Sequence, residues 1–288
     1  MSTSEIKKKL KEIPGLPAAP TIIFKIYRLI QDPRSSLSDF ERILQNDPAL
    51  TAQILKIANS PYYGLPRRIT NLRLALSLLG IEEIGRVVIG LILQKQLQKS
   101  FNTLSFDFNT YWQHSRQTGK LCELLAAELI PEQKMELFVC GLLHDLGKLI
   151  LDRYFPDEWT EIMARYALTQ DNMEAIEREI VGFDHTQIAA EFLDSWNLPD
   201  NIIEPIRCHH NPFTAEKHPK SALVLFAADR TAARLSSRNE VFESTQEIME
   251  PDETWQQVIS LFPQLNLLTD PDSHIELRWR LRRMLSWD

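Results

Sequence analysis

An all-α fold follows from three observations on the sequence. Glycine supplies only 9 of 288 residues, about 3% against a usual share of roughly 7%, which argues against a turn-rich β protein. Nearly every apolar periodicity is helical, with hydrophobic residues returning at i, i+3, i+4 and i+7. No strand–helix alternation, internal repeat or low-complexity tract interrupts that pattern. The expected architecture is an N-terminal helical lobe followed by a helical core.

The elements can be taken in order. After the breaker Pro14-Gly15-Leu16-Pro17 and Pro20, residues Ile22, Ile23, Ile26, Tyr27, Leu29 and Ile30 recur at helical spacing. A second helix is predicted to open at Ser38-x-x-Glu41, a capping-box pattern in which side chains and backbone donors satisfy each other. Asp47-Pro48 predicts a third, with an N-cap acid and a proline at the first helical position. Its apolar face carries Leu50, Ile54, Leu55 and Ala58. The loop 60–66 then breaks the chain and, with Arg67 and Arg68, presents Tyr62, Tyr63 and Leu65 either to a protein partner or to its own core. Residues 72–79 and 84–93 are almost continuously apolar, which predicts helices buried on all sides. Residues 101–109 turn polar and aromatic and mark a seam between two lobes. Helices are predicted over 111–129, 135–151, 172–181, 185–196, 200–210 and 221–235, with a terminal one from about His274 to Trp287.

Composition removes several function classes. The net charge of −7, from 32 basic and 39 acidic residues, disfavours a broad nucleic-acid surface. No GxGxxG or GxxxxGK[ST] pattern offers a glycine cradle for phosphates. Cys122, Cys140 and Cys208 lie far apart without CxxC spacing, which suggests reduced thiols and a cytoplasmic protein. Residues 1–11 are polar, and the most apolar run, 87–94, is too short to span a bilayer. No contact with a membrane is expected.

The chemistry lies in the histidines and two acids. His144-Asp145 sits within an otherwise apolar run, where a lone charge is costly, so the pair is either bonded to its neighbours in the core or coordinates a cation. His209 continues the stripe of Ile202 and Ile206 at i+7, so His209-His210 either points inward as a ligand pair or caps a helix end. Asp229 shares a face with Ala222, Leu225 and Phe226 and needs a cation, either a metal or an arginine. His114 follows Tyr111-Trp112 and His185 opens another helix; alone, each reads more readily as a structural or surface residue than as a ligand. Together, five imidazoles and two carboxylates exceed one tetrahedral site. They suit two divalent ions sharing a carboxylate, with iron or manganese favoured and zinc acceptable. Such a pair serves phosphoester hydrolysis. Lys148, three residues after Asp145, either meets a phosphate or is merely solvated.

The order His…His-Asp-x-Gly-Lys…His…His-His…Asp resembles the HD superfamily of metal-dependent phosphohydrolases and its HD-GYP branch. Leu16-Pro17, Asn46-Asp47-Pro48-Ala49-Leu50, Ile54 to Ser60, Leu78-Leu79-Gly80, Gly141 to Lys148 and Trp196-Asn197-Leu198-Pro199 resemble, more specifically, the HDOD domain, a bacterial signalling relative. The resemblance runs from about Leu16 to about Pro212. It implies an N-terminal segment over 1–15 and an HDOD domain over 16–213, divided into a helical lobe to about 106 and an HD-like core. A C-terminal helical extension, 214–288, would contribute Asp229. It further implies that His114, His144, Asp145 and Asp229 hold one metal and that His185, His209 and His210 hold a second, with Asp145 bridging. Asp145 and Lys148 would be the catalytic residues of an active member.

Two departures bear on activity. HD-GYP proteins follow the paired histidines with a stretch ending in glycine-tyrosine-proline that helps to hold a cyclic dinucleotide; here Asn211-Pro212-Phe213-Thr214-Ala215 follows. Some members place a glutamate one turn before the first histidine to support a third metal; here that position is Thr110. The expectation is a metal-binding signalling protein acting through protein partners or a nucleotide or phosphate ligand. The alternative is a working phosphodiesterase or nucleotide phosphohydrolase.

Overall fold

Proline, capping acids and a few glycines set where each helix begins, ends or bends. A computed structural model describes residues 3–13, 16–65, 67–101, 107–169, 171–236 and 253–261. Among these the helices are α1 (Thr3–Glu12), α2 (Thr21–Gln31), α3 (Leu37–Leu44), α4 (Pro48–Ala58), α5 (Leu72–Ser100), α6 (Phe108–Leu129) and α7 (Lys134–Leu143). They continue as α8 (Leu146–Tyr154), α9 (Pro156–Thr169), α10 (Met173–Ile180), α11 (His185–Ser195), α12 (Asp200–Arg207), α13 (Pro219–Ser236) and α14 (Glu253–Leu261). Short 3-10 turns occupy Pro131–Gln133 and Pro212–Thr214, and the described residues contain no strand. The fold is all-α.

The described residues fall into two compact units. One gathers those up to Ala18 with those from Ser100 to Pro271, and the other those from Ala19 to Lys99.

In the second unit, α4 starts as its sequence predicts: the Asp47 carboxylate accepts from the Leu50 amide at 3.0 Å, and Pro48 opens the helix. The capping box of α3 lies two residues earlier than the Ser38 pattern suggests. Ser36 Oγ accepts from the Asp39 amide, and the Asp39 carboxylate accepts from the Ser36 amide at 3.0 Å. An aspartate at the third helical position closes the box from this earlier start, and Ser38 Oγ instead accepts from Arg73. Gly80, with φ of 85°, breaks α5 into two helical stretches, a backbone that only glycine adopts readily. Val87, Val88 and Ile89 are buried after it, but Leu78 before it is 52% exposed, so the first apolar run is not buried on all sides. Tyr63 is half-buried and donates to Glu83 at 2.6 Å, so that aromatic of the 60–66 loop packs on its own unit.

In the other unit, α6 and α7 cross closely. A Cβ on Gly141 would lie 2.5 Å from the Gly119 Cα, so both glycines are required for the approach. The apolar run 135–151 does not form one helix: it breaks at His144-Asp145, where Asp145 leaves helical geometry at φ −93°, ψ 8°. The expected helix 200–210 stops at Arg207, which leaves His209 and His210 in the following turn. Helix α11 ends in a Schellman motif. Asn197 takes φ 57°, its amide reaches the Asp194 carbonyl, and the Leu198 amide reaches the Leu193 carbonyl. Pro199 then prevents continuation. Three helices go beyond those read from the sequence: α9, α14, and α1, whose Ile6 and Leu10 are buried. Helix α1 is tied to α11 through Lys7, which pairs with Asp194 at 2.8 Å and Glu191 at 3.4 Å. The expected helix near 274–287 and most of the seam 101–109 lie outside the described residues.

Candidate metal centre

The break between α7 and α8 creates the site. On a continuous helix, neighbouring side chains diverge by about 100°, so His144 and Asp145 could not share a target. The break turns both toward the same place, with His144 Nε2 lying 3.4 Å from Asp145 Oδ2. The α6–α7 crossing brings in His114, whose Nε2 is 3.3 Å from that of His144. Helix α13 adds Asp229, whose Oδ1 lies 2.9 Å from His114 Nε2 and 3.2 Å from His144 Nε2. A second group forms where α11 begins and α12 has ended. His185 Nε2 faces His210 Nε2 at 3.0 Å. Asp145 Oδ1 lies 3.6 Å from His185 and 3.8 Å from His209.

All seven residues singled out as ligands therefore converge, in two groups. His114, His144 and Asp229 make one; Asp145, His185, His209 and His210 make the other. Asp145 faces both, Oδ2 toward the first and Oδ1 toward the second. Lys148 stands beside them, its Nζ 2.7 Å from Asp145 Oδ2. The rim is open at His114, Lys148 and His210, whose side chains are 18%, 21% and 32% exposed.

The far side of each imidazole fixes which nitrogen faces the site. His144 Nδ1 donates to the Gly141 carbonyl at 2.9 Å, and His209 Nδ1 to the Ile206 carbonyl at 2.7 Å. A carbonyl can only accept, so both rings carry a proton on Nδ1 and turn Nε2 toward the site. His185 Nδ1 meets Glu177 at 2.7 Å and His210 Nδ1 meets Glu174 at 3.2 Å. These two glutamates, both on α10, are the residues that the sequence reading missed. Glu177 also accepts from the His185 backbone amide at 2.8 Å, and it is completely buried.

Donor chemistry and burial test whether the site fits metal ions. With both Nδ1 protons directed to glutamates, His185 and His210 face each other through lone pairs, an arrangement that needs a proton or a cation between them. Asp145 Oδ1 and His209 Nε2 are buried and have no hydrogen-bond partner among the described residues, a costly state that a cation would relieve. Charge points the same way. Burial pushes the His144 pKa down, but the Asp145 and Asp229 carboxylates outweigh it and raise it to about 10. Burial favours protonating Asp145, yet His144 and Lys148 hold it well below the usual carboxylate range. Burial, aided by His144, lowers His209 to about 3, and burial with His209 and His185 beside it also depresses His210. The first group thus demands positive charge, and His209 and His210 of the second are held neutral. The residues fit two divalent ions bound by nitrogen and oxygen.

The chain is similar to several known proteins. The family model of the HDOD domain matches residues 16–212. An HDOD domain protein of unknown function from Geobacter sulfurreducens has a similar structure, with a TM-score of 0.80 at 20% identity over 98% of this chain and 97% of that one. A Treponema pallidum protein without a characterised role is 27% identical over 78% of this chain and 43% of its own length. Ribonuclease Y of a Sulfurovum species is 32% identical over 49% of this chain and 22% of its own. The chain thus spans less than half the length of these two relatives. No described helix is long and apolar enough to cross a membrane. With the family model covering well over half of the sequence, the chain belongs to the HDOD domain family.

Proposed function

We propose that this chain is a regulatory HDOD protein of the cytoplasm. Its core would hold two divalent transition-metal ions, iron or manganese in preference to zinc, and it would act through signalling partners or a bound ligand. His114, His144, Asp145 and Asp229 would hold one ion and His185, His209 and His210 the other, with Asp145 shared. Bound there, the ions would polarise a phosphoryl oxygen and acidify a water. The regulatory reading rests on the backbone after the paired histidines. The amides of Asn211, Thr214 and Ala215 are spent on local carbonyls, and Pro212 has none. Those of Glu216, Lys217 and His218 all go to the Glu204 carboxylate. A stretch so committed offers little to hold a dinucleotide near its attack geometry.

Hydrolysis of a phosphodiester is the second reading. It is favoured by the 32% identity to ribonuclease Y and by Lys148 at the open rim, where it could meet a phosphate. Elemental analysis of protein prepared without oxygen or chelator separates the cases when paired with turnover of cyclic di-GMP. About two ions per chain are expected, reduced in Asp145→Asn, with no rapid turnover. An absence of metal sinks the site, and rapid turnover lost in Asp145→Asn makes the chain an enzyme.

A further inference from the structure

Away from the metal centre, the unit from Ala19 to Lys99 contains a cavity of about 400 Å3 beside the end of α4. We propose that it binds a small phosphate-bearing ligand of nucleotide size. Four features support this.

First, Arg67 and Arg68 line the cavity, are exposed, and make no ion pair among the described residues. In the same unit Arg34, Arg42, Arg73 and Arg86 each pair with a carboxylate. Arg28 of the same unit also makes no ion pair among the described residues, so what sets Arg67 and Arg68 apart is that they are adjacent and share one cavity. Among the described residues no carboxylate lines the cavity to neutralise them. The planar guanidinium fork matches two phosphate oxygens at once, which a lysine does not.

Second, Ser60 lines the same cavity, and its hydroxyl oxygen is buried without a hydrogen-bond partner among the described residues. Such a group costs free energy until something accepts from it or donates to it. Rotation about the Ser60 Cα–Cβ bond would turn the hydroxyl into the cavity, where a phosphate oxygen would accept its hydrogen bond.

Third, the walls are built. The Asn59 side chain spans the loop, accepting from the Ile69 amide at 2.8 Å and donating to the Ile69 and Leu55 carbonyls at 2.8 and 2.7 Å. A tight turn closes one side, with the Tyr63 amide on the Ser60 carbonyl and the Gly64 amide on that of Pro61. Gly64 takes φ of 55° there, the left-handed region that glycine occupies without strain.

Fourth, size and lining fit a small molecule. The volume falls in the usual range for ligand pockets. Ala58 and Leu65 give it an apolar wall for the rest of the ligand beside the cationic end. A concave site of this size favours a nucleotide over a folded partner surface.

Calorimetric titration of the full chain with GMP, guanosine and pyrophosphate tests this. GMP and pyrophosphate are expected to bind saturably, and guanosine about tenfold more weakly or worse. The double variant Arg67→Gln/Arg68→Gln should lose at least about tenfold in GMP affinity. Its melting temperature should hold, since both side chains are exposed. Ser60→Ala should weaken GMP binding by a smaller factor. Asp145→Asn should leave it unchanged, which separates this cavity from the metal centre. No saturation by GMP or pyrophosphate, equal affinity for guanosine, or full binding in the double arginine variant would each overturn the proposal. Loss of binding in Asp145→Asn alone would assign the phosphate to the metal centre instead.

Discussion

Glu177 does for His185 what main-chain carbonyls do for His144 and His209: it accepts a hydrogen bond from Nδ1 and turns Nε2 toward the site. It alone also grips its histidine's backbone amide, at 2.8 Å. One carboxylate oxygen accepts from both the amide and Nδ1, and the other lies 3.0 Å from Nδ1; a glutamine that keeps the first oxygen puts an NH2 in place of the second, facing the Nδ1 proton. Glu177→Gln is therefore expected to weaken metal affinity by about 10–100-fold while the chain stays folded. A competition titration against a metal-binding dye reads the loss, and unchanged affinity would reduce Glu177 to packing. The ligands themselves were legible because an ionisable residue in an apolar run demands an explanation. Glu174 and Glu177 were not, because acids on a short amphipathic helix look like a solvated face. Only the packing of α10 against the start of α11 shows them to be buried.

Among elements, the α6–α7 crossing governs the distance between His114 and His144. A methyl group at Gly141 must displace main-chain atoms of Thr118 and Gly119. Gly141→Ala ordinarily adds helix propensity, but overlap with backbone should dominate and cost about 2 kcal/mol, read as a lower urea midpoint. The turn into α13 depends on Glu204. Burial tends to raise its pKa, but the amides of Lys217, His218 and Glu216 hold it below the ordinary glutamate value. A folded-state pKa below the unfolded one means that its stabilisation is present above pH of roughly 4.3 and lost as the pH falls through the folded value. Glu204→Gln should flatten that acid limb, and at neutral pH cost about 1 kcal/mol after allowance for solvent screening. Urea midpoints across the acid range measure it, and an unaltered slope would refute it. Most helices could be placed from periodicity and caps. The break at His144-Asp145 could not, since the flanking Gly141 and Gly147 lie inside α7 and α8 and the apolar run reads straight through.

At the scale of the whole molecule, the metal centre belongs to one compact unit and the arginine-lined cavity to the other. Ligands buried without their ions are uncompensated, so chelation should destabilise the first unit specifically. Amide hydrogen exchange after chelation is expected to speed up in α6, α7, α8, α11 and α13, and to stay unchanged in α2–α4. Uniform acceleration would show that the ions hold the entire chain together.

The tie between Lys7 and Asp194 spans 187 positions of sequence, and it sets an order on synthesis. At the usual 5–20 residues per second, α1 leaves the ribosome roughly 10–40 seconds before α11. For that interval Ile6 and Leu10 have no partner helix to cover them. Residues 19–99, emerging meanwhile, can complete their own core. Nascent chains that extend past residue 99 but have not reached about residue 195 should therefore carry a folded 19–99 unit and an exposed, chaperone-binding α1.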